Sequence, residues 1–179
     1  MATKKKEFKW FTITEYEKEQ EYLRDMHKHG WKLERVTGIG TYHFEECEPA
    51  DVVYQLDYNQ EGRAHKEEYV QMFEDCGWEY LMDFVGYSYF RKPVGIMNEE
   101  ESIFCDDSSR LEMMQRVFKG RMIPMLVIFC LILIPQLFVQ FMNGETVLGC
   151  VFVCLLFLYL GIFASFAIKY SEFRKKAGK

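Results

Sequence analysis

Two long stretches without a single charge set the first constraint on this chain. Met122 to Met142 runs 21 residues and Val147 to Ile168 runs 22, with only Asn143-Gly144-Glu145-Thr146 between them. At a rise of ~1.5 Å per residue, either stretch as a helix reaches ~30 Å, the thickness of a bilayer's hydrocarbon core. The short connection carries turn chemistry, so two such helices must lie antiparallel and adjacent. A helix of a soluble protein normally wets one side and shows a polar face. Neither stretch has one. The pattern predicts a transmembrane hairpin, 122–142 and 147–168, whose partner is the lipid bilayer.

Charge is divided to match. Residues 1–121 carry 17 basic and 25 acidic side chains, residues 122–168 only Glu145, and residues 169–179 five basic and one acidic. The mean hydropathy of -0.18 averages over this division. Lys119 and Arg121 precede the first span and Lys169, Arg174, Lys175, Lys176 and Lys179 follow the second, while the turn has no basic residue. Positive charge stays on the cytoplasmic side, so the expectation is a two-pass protein of the cell membrane with both termini cytoplasmic. The basic opening, Met1 to Lys6, leads into a charged aromatic segment rather than an apolar run, so no secretory signal is expected. The acidic first block speaks against nucleic acid as a partner, because that binding runs on Lys and Arg neutralising phosphates. Cys47, Cys76 and Cys105 fall in the cytosolic part and Cys130, Cys150 and Cys154 in the spans, with no CxxC pair. A disulfide framework is therefore not expected.

The cytosolic part repeats itself. Residues 21–42 and 68–89 align at an offset of 47: Glu21-Tyr22-Leu23 on Glu68-Tyr69-Val70, Met26 on Phe73, Gly30-Trp31 on Gly77-Trp78, and Tyr42 on Tyr89. Gly30, Trp31, Gly77 and Trp78 define the repeat. Each copy reads as strand, helix, strand, strand. In the first, Glu7 to Ile13 is the strand and Thr14-x-x-Glu17 the capping box. The helix then runs to about His29 with Tyr16, Leu23, Met26 and the stem of Gln20 inward. Gly30 stops it, and Trp31 to Val36 and Thr41 to Glu46 form a hairpin. In the second, Val52 to Tyr58 is a strand. A polar loop, Asn59 to Arg63, leads to a helix over His65 to Cys76 with Tyr69, Val70, Phe73 and Cys76 inward. Strands from Trp78 to Phe84 and Tyr87 to Lys92 follow. The expected fold is α+β: a duplicated βαββ unit over 1–92, forming a ferredoxin-like sandwich of about six mostly antiparallel strands with two helices on one face. Its other face is either curled core, a dimer surface or a binding site.

An acidic linker and juxtamembrane helix over 93–121 join this domain to the hairpin, and 169–179 is a basic tail. Ser108 or Ser109 is placed to cap that helix, with Glu112 near its start and Lys119 and Arg121 near its end, as the helix dipole favours. Here the chain resembles a known family. Lys9-Trp10-Phe11, Glu21-Tyr22-Leu23, Gly30-Trp31-Lys32-Leu33 and Ile103-Phe104-Cys105-Asp106 are similar to the markers of a bacterial family of uncharacterised domain-of-unknown-function membrane proteins, over roughly residues 7–121. The resemblance implies a cytosolic N-terminal domain with C-terminal membrane helices. It also implies genes beside PadR-type transcriptional regulators, in a stress-responsive operon. No activity and no functional residue come with it.

Chemistry-bearing motifs are scarce. His27 and His29 stand two apart on a helix and point away from each other, which reads as surface histidines. His43, Cys47 and Cys76 form no metal-ligand spacing, Gly38-Ile39-Gly40 lacks the third glycine of a dinucleotide loop, and no G-x-S-x-G occurs. No catalytic, cofactor-binding or metal-ligating residue is singled out, and no cofactor is expected. In the spans, Gln136 and Gln140 share a face after Pro135, and Gly161 and Ser165 form a small-xxx-small pair; these four mark a helix-packing or oligomer seam. The sequence favours a non-enzymatic, membrane-anchored regulatory, adaptor or ligand-sensing domain. Its partner would be a protein, a second copy or a small amphipathic molecule. The alternatives are an accessory subunit of an export or transport complex and, third, an enzyme acting on a membrane-derived substrate.

Overall fold

The computed structural model of the chain describes residues 3–12, 15–58, 65–96, 107–144 and 146–177. Two units, Met1–Cys105 and Asp106–Lys179, pack within themselves. In the first, the order is β1 (Lys4–Phe8), α1 (Tyr16–Lys28), β2 (Trp31–Thr37), β3 (Thr41–Glu46), β4 (Val52–Tyr58), α2 (Lys66–Asp75), β5 (Glu79–Phe84) and β6 (Tyr87–Pro93). Both helices end on a glycine in the left-handed region, Gly30 at φ +84° and Gly77 at φ +79°. Their N–H groups bond back to His27 and Glu74 carbonyls, as helix stops require.

The strands do not form one six-stranded sheet. They form two antiparallel three-stranded sheets, ordered β1-β3-β2 and β4-β6-β5. The strands where these sheets meet explain the division. β2 and β5 lie side by side, but β2 has a register shift between Leu33 and Arg35 and β5 has one between Tyr80 and Met82. A bulge bends and twists its strand, so the two edges cannot run on as a ladder. Val36 N–H instead donates to the Met82 sulfur at 3.3 Å.

The helices do not share one face either. α2 covers the outer face of the second sheet through Phe73, Trp78 and Phe90, joined by Val53, Tyr69 and Tyr80. α1 reaches both sheets: the Tyr22 ring meets Tyr42 and Phe44 of β3, and His27 Nδ1 lies 2.8 Å from the Tyr54 hydroxyl of β4. β4 is consequently buried on both faces, its alternate residues Tyr54, Leu56 and Tyr58 turned away from α2. The expected open sheet face is reduced to the outer side of the first sheet, which is polar and lined by Lys4, Lys6, Arg35, His43 and Glu45.

Three local expectations shift. The first strand is Lys4–Phe8 rather than Glu7 to Ile13: Lys4 to Phe8 pair with Glu45 to Thr41, and Lys9 N–H donates to the Gly40 carbonyl where the pairing ends. A lysine-rich edge strand is a common natural protection against further pairing, so strand propensity pointed to the wrong segment. Thr14 of the expected capping box lies outside the described residues, as do Ile13 and the expected loop Asn59 to Arg63. Glu15 flanks α1 instead: its carboxylate accepts from Lys18 and from the Thr12 N–H and hydroxyl, which holds its pKa down to about 2. Cys76, expected inward, is exposed.

An ion pair ties α1 to the connection between the two halves. Arg24 grips Asp51 through two bonds of 2.6 and 2.7 Å, Lys28 adds a third contact at 3.3 Å, and the Asp51 carboxyl is held down to about 2. Both partners are part-exposed, so the pair adds little stability, but its bidentate geometry fixes where α1 ends.

In the second unit, α3 (Asp107–Val117), α4 (Ile123–Ile128) and α5 (Ile134–Asn143) form one helical run joined by wide π turns at Phe118–Met122 and Phe129–Leu133. Each π turn precedes a proline, Pro124 or Pro135. Proline has no N–H and crowds the carbonyl four residues earlier, and a π turn relieves this. The run is described from Asp107 onward, so Ser108 and Ser109 have helical backbone. The linker stretch 97–106, including Ile103 to Asp106, lies outside the described residues. Gly144, at φ +70°, closes α5, and α6 (Thr146–Ala177) returns antiparallel. Phe118 stacks on Phe166, and Phe129 meets Tyr159 and Phe163. Met113, Met114, Val117 and Phe173 make a dry base where α3 meets the end of α6.

Candidate functional site

The most unusual chemistry in the first unit is a carboxyl group buried in an aromatic interior. On α1, the inward stripe Tyr16, Leu23, Met26 also includes position 19, three residues after Tyr16 and four before Leu23. That position holds Glu19, which is buried. Strand alternation sends Tyr42 and Phe44 of β3, and Tyr87 and Tyr89 of β6, into the same interior. The Tyr42 and Tyr89 hydroxyls both donate to Glu19 Oε1, at 2.6 and 2.5 Å. These are the two tyrosines that the 47-residue offset pairs, one from the central strand of each sheet. They converge on one oxygen.

Burial raises the pKa of Glu19 above its ordinary 4.5, and the two hydroxyl bonds oppose the rise without cancelling it. Burial and the Glu19 charge push both tyrosines well above their ordinary range. Around the carboxyl, Tyr16 stacks on Tyr87 and Tyr58 meets Tyr87 edge-on at 5.3 Å between centroids. The position that the same offset gives for Glu19 in the second half is Lys66. It lies at the surface, paired with Asp83 at 2.8 Å and raised to about 12. The site therefore belongs to the first helix alone.

A second polar cluster sits further along α1. His27, expected at the surface, is buried, because residue 27 falls on the same stripe one position past Met26. Its Nδ1 faces the Tyr54 hydroxyl, which also accepts the Leu33 N–H at 3.3 Å. Burial, then the charges of Arg91 and Lys32, lower its pKa, so the ring is neutral near pH 7. Arg91 is held by Glu79 through two bonds of 2.7 Å. His29 points outward, as the two-residue spacing requires.

The repeat-defining residues occupy matching backbone positions but unequal surroundings. Trp31 is half-buried under Lys5, whereas Trp78 is buried beside Lys92, whose ammonium donates to the Cys76 carbonyl at 2.8 Å. Each helix also sends an offset-matched tyrosine to a carboxylate on the first strand of its own half, Tyr22 to Glu7 at 2.6 Å and Tyr69 to Asp57 at 2.7 Å. His43, Cys47 and Cys76 are not brought together: His43 Nε2 bonds the Thr37 hydroxyl at 2.7 Å on the outer sheet face, and Cys76 is exposed at the end of α2. Among the described residues, no group of three or more His, Cys, Asp or Glu side chains is placed to hold a metal ion.

In the hairpin, Gln140 is buried and Gln136 half-buried, whereas Gly161 and Ser165 lie on the exposed side of α6. The Ser165 hydroxyl donates to the Gly161 carbonyl at 2.8 Å, and nothing stands within 4 Å of where a Gly161 Cβ would be. Those two residues thus take no part in packing this pair of helices together.

Residues 15–128 match the sequence profile of the family described as Protein of unknown function (DUF2812). The chain belongs to this family. The DUF2812 match runs from the start of α1 to the end of α4, so it takes in both polar clusters and residues 122–128 of the first uncharged stretch, and it leaves out β1, α5 and α6. No curated protein and no solved structure matches the chain. Two helical segments, Leu111–Asn143 and Val147–Lys175, are long and apolar enough to cross a membrane.

Proposed function

We propose that this protein is a membrane-anchored cytosolic sensing or adaptor domain that captures a small amphipathic cation without transforming it. The observation that carries the reading is the Glu19 carboxyl, bonded by Tyr42 and Tyr89 inside a tyrosine-lined interior. A carboxylate among aromatic faces suits an ammonium group attached to an apolar body. Among the described residues, no nucleophile with an adjacent base, which covalent catalysis needs, is placed beside it. Anchoring is supported by the second unit, where bulky side chains stay outward, among them Phe141 at 83% exposed and Val147 at 78%. In water such a surface would drive association; in lipid it is satisfied. The basic end residues then favour a cell-membrane hairpin with both termini cytoplasmic.

A duplicated βαββ origin is supported by the common strand order, by the left-handed glycines and by bulges that fall 47 residues apart. In this reading the halves have diverged at one position, Glu19 against Lys66, and that difference creates the site.

The test is thermal unfolding of the full chain in neutral detergent micelles, followed by tryptophan fluorescence. All three tryptophans fall in residues 1–105. A long-chain alkyl amine is expected to raise the midpoint and the matched alcohol to leave it unchanged, with the difference lost in Glu19→Gln. Equal shifts for amine and alcohol, or an amine effect that persists in Glu19→Gln, contradict the proposal. A second reading, an accessory subunit of an export complex or a homo-oligomer, is favoured by the outward Gly161 and Ser165, since small residues admit close helix approach. Gly161→Leu would then abolish cross-linking between copies or to the partner.

A further inference from the structure

The end of the first sheet that carries the β2–β3 turn is apolar and exposed. Phe8, Trp10 and Ile39 are 63%, 64% and 71% exposed. They are held at the same end because Phe8 pairs with Thr41 and Lys9 N–H bonds the Gly40 carbonyl. Strand alternation separates two sides of this segment. Glu7 and Lys9 turn inward onto Tyr22, one by a hydrogen bond and the other with its ammonium 4.7 Å from the ring centroid, so Lys6, Phe8 and Trp10 share the outer side. One row behind the apolar end, Lys6, His43 and Arg35 stand across the outer face of the sheet in register. Neither Lys6 nor Arg35 is in an ion pair among the described residues. Burial first, then the charges of Arg35 and Lys6, lower the His43 pKa, with Glu34, itself paired with Lys4, opposing them.

A Trp and a Phe at the tip with cations one row back is the arrangement that sits at a lipid headgroup boundary. The rings enter the interface while the cations meet anionic headgroups. We propose that this edge of the α+β unit docks on the anionic surface of the bilayer, beside the membrane in which the helical hairpin is anchored. The occupant is lipid rather than a second protein, because the patch combines a small apolar tip with unpaired positive charge on a domain whose overall charge is acidic. The inference rests on the membrane reading above, since tethering keeps the patch near the surface.

The experiment uses the full chain in nanodiscs of phosphatidylcholine alone or with about 30% phosphatidylglycerol, a fraction that gives a clearly negative surface. Lipids brominated along their acyl chains quench tryptophan, and the Trp10 contribution is the difference from Trp10→Phe. Bromolipid quenching of Trp10 is expected in the anionic discs. It should fall about fivefold in docked-to-free ratio for Lys6→Ala and again for Arg35→Ala, and should weaken in high salt. Trp10 quenched only by aqueous acrylamide in both disc types overturns the proposal. So does a Trp10 shielded from acrylamide without bromolipid quenching, which means a second copy covers it. Retention of the chain in membranes through an alkaline carbonate wash is scored separately. A chain that washes off sinks the hairpin reading, and anionic vesicles added to the released protein still test the docking edge by the same quenching.

Discussion

Glu19→Ala is expected to destabilise the α+β unit by about 3–5 kcal/mol. The change removes the acceptor of two buried hydroxyls and leaves a cavity between two sheets, and each of those costs on the order of 1–3 kcal/mol. Glu19→Gln is expected to cost about 1 kcal/mol or less, because both tyrosines donate to the same oxygen, Oε1, and an amide oxygen can accept both. The pH dependence separates the two roles of the carboxyl. Its folded-state pKa is raised above 4.5, so between 4.5 and that raised value the folded chain keeps a proton that the unfolded chain has released, and above it the group is a carboxylate. The stability it contributes is full below pH 4.5, falls as pH rises through the raised value, and is level above it. Glu19→Gln should flatten that slope. Urea unfolding followed by tryptophan fluorescence at several pH values measures both effects, since the helical unit contains no tryptophan to obscure them.

Gly40→Ala should be comparably severe, at about 3 kcal/mol or more. Gly40 stands at φ +130°, where an L side chain is strained, and an added Cβ would sit 2.3 Å from the Lys9 carbonyl oxygen. Backbone cannot yield cheaply at that distance. The relief available is to release β1 from β3, which also breaks the Lys9 to Gly40 bond and frees Phe8 and Trp10. Gly38→Ala is the matched comparison. Its φ of +63° is within the left-handed region and nothing lies within 4 Å of the new Cβ, so a cost of about 1 kcal/mol is expected. Amide exchange should show early loss of protection in residues 4–8 for Gly40→Ala and not for Gly38→Ala.

Much of this architecture is local and was readable locally. Tyr54 to Tyr58 alternates apolar with polar, Gly30 and Gly77 mark both helix stops, and the uncharged stretches state their own lengths. The division into two sheets was not readable, because it depends on bulges at Glu34 and Leu81, and bulges have no strong sequence signature. β1 lies ahead of the aromatic segment that propensity favours, because an edge strand rich in lysine violates strand propensity for a reason that only its position supplies. His27, expected at the surface, and Glu19, which no motif singles out, both fall on the apolar stripe of α1. A polar residue at a core position is the available signal, and here it marks both polar clusters. The convergence of Tyr42 and Tyr89 was half visible: the repeat paired them, but only the packing of α1 between the sheets gives them a common acceptor.

A membrane hairpin with both ends in the cytosol puts its turn, and only its turn, on the far side of the bilayer. In a chain whose native cysteines are replaced by serine, a single cysteine is introduced by Thr3→Cys, Asn143→Cys or Lys175→Cys, and intact cells are treated with a membrane-impermeant maleimide. Asn143→Cys should label in intact cells, and the other two only after permeabilisation. Labelling of Thr3→Cys and Asn143→Cys from the same side would contradict that arrangement.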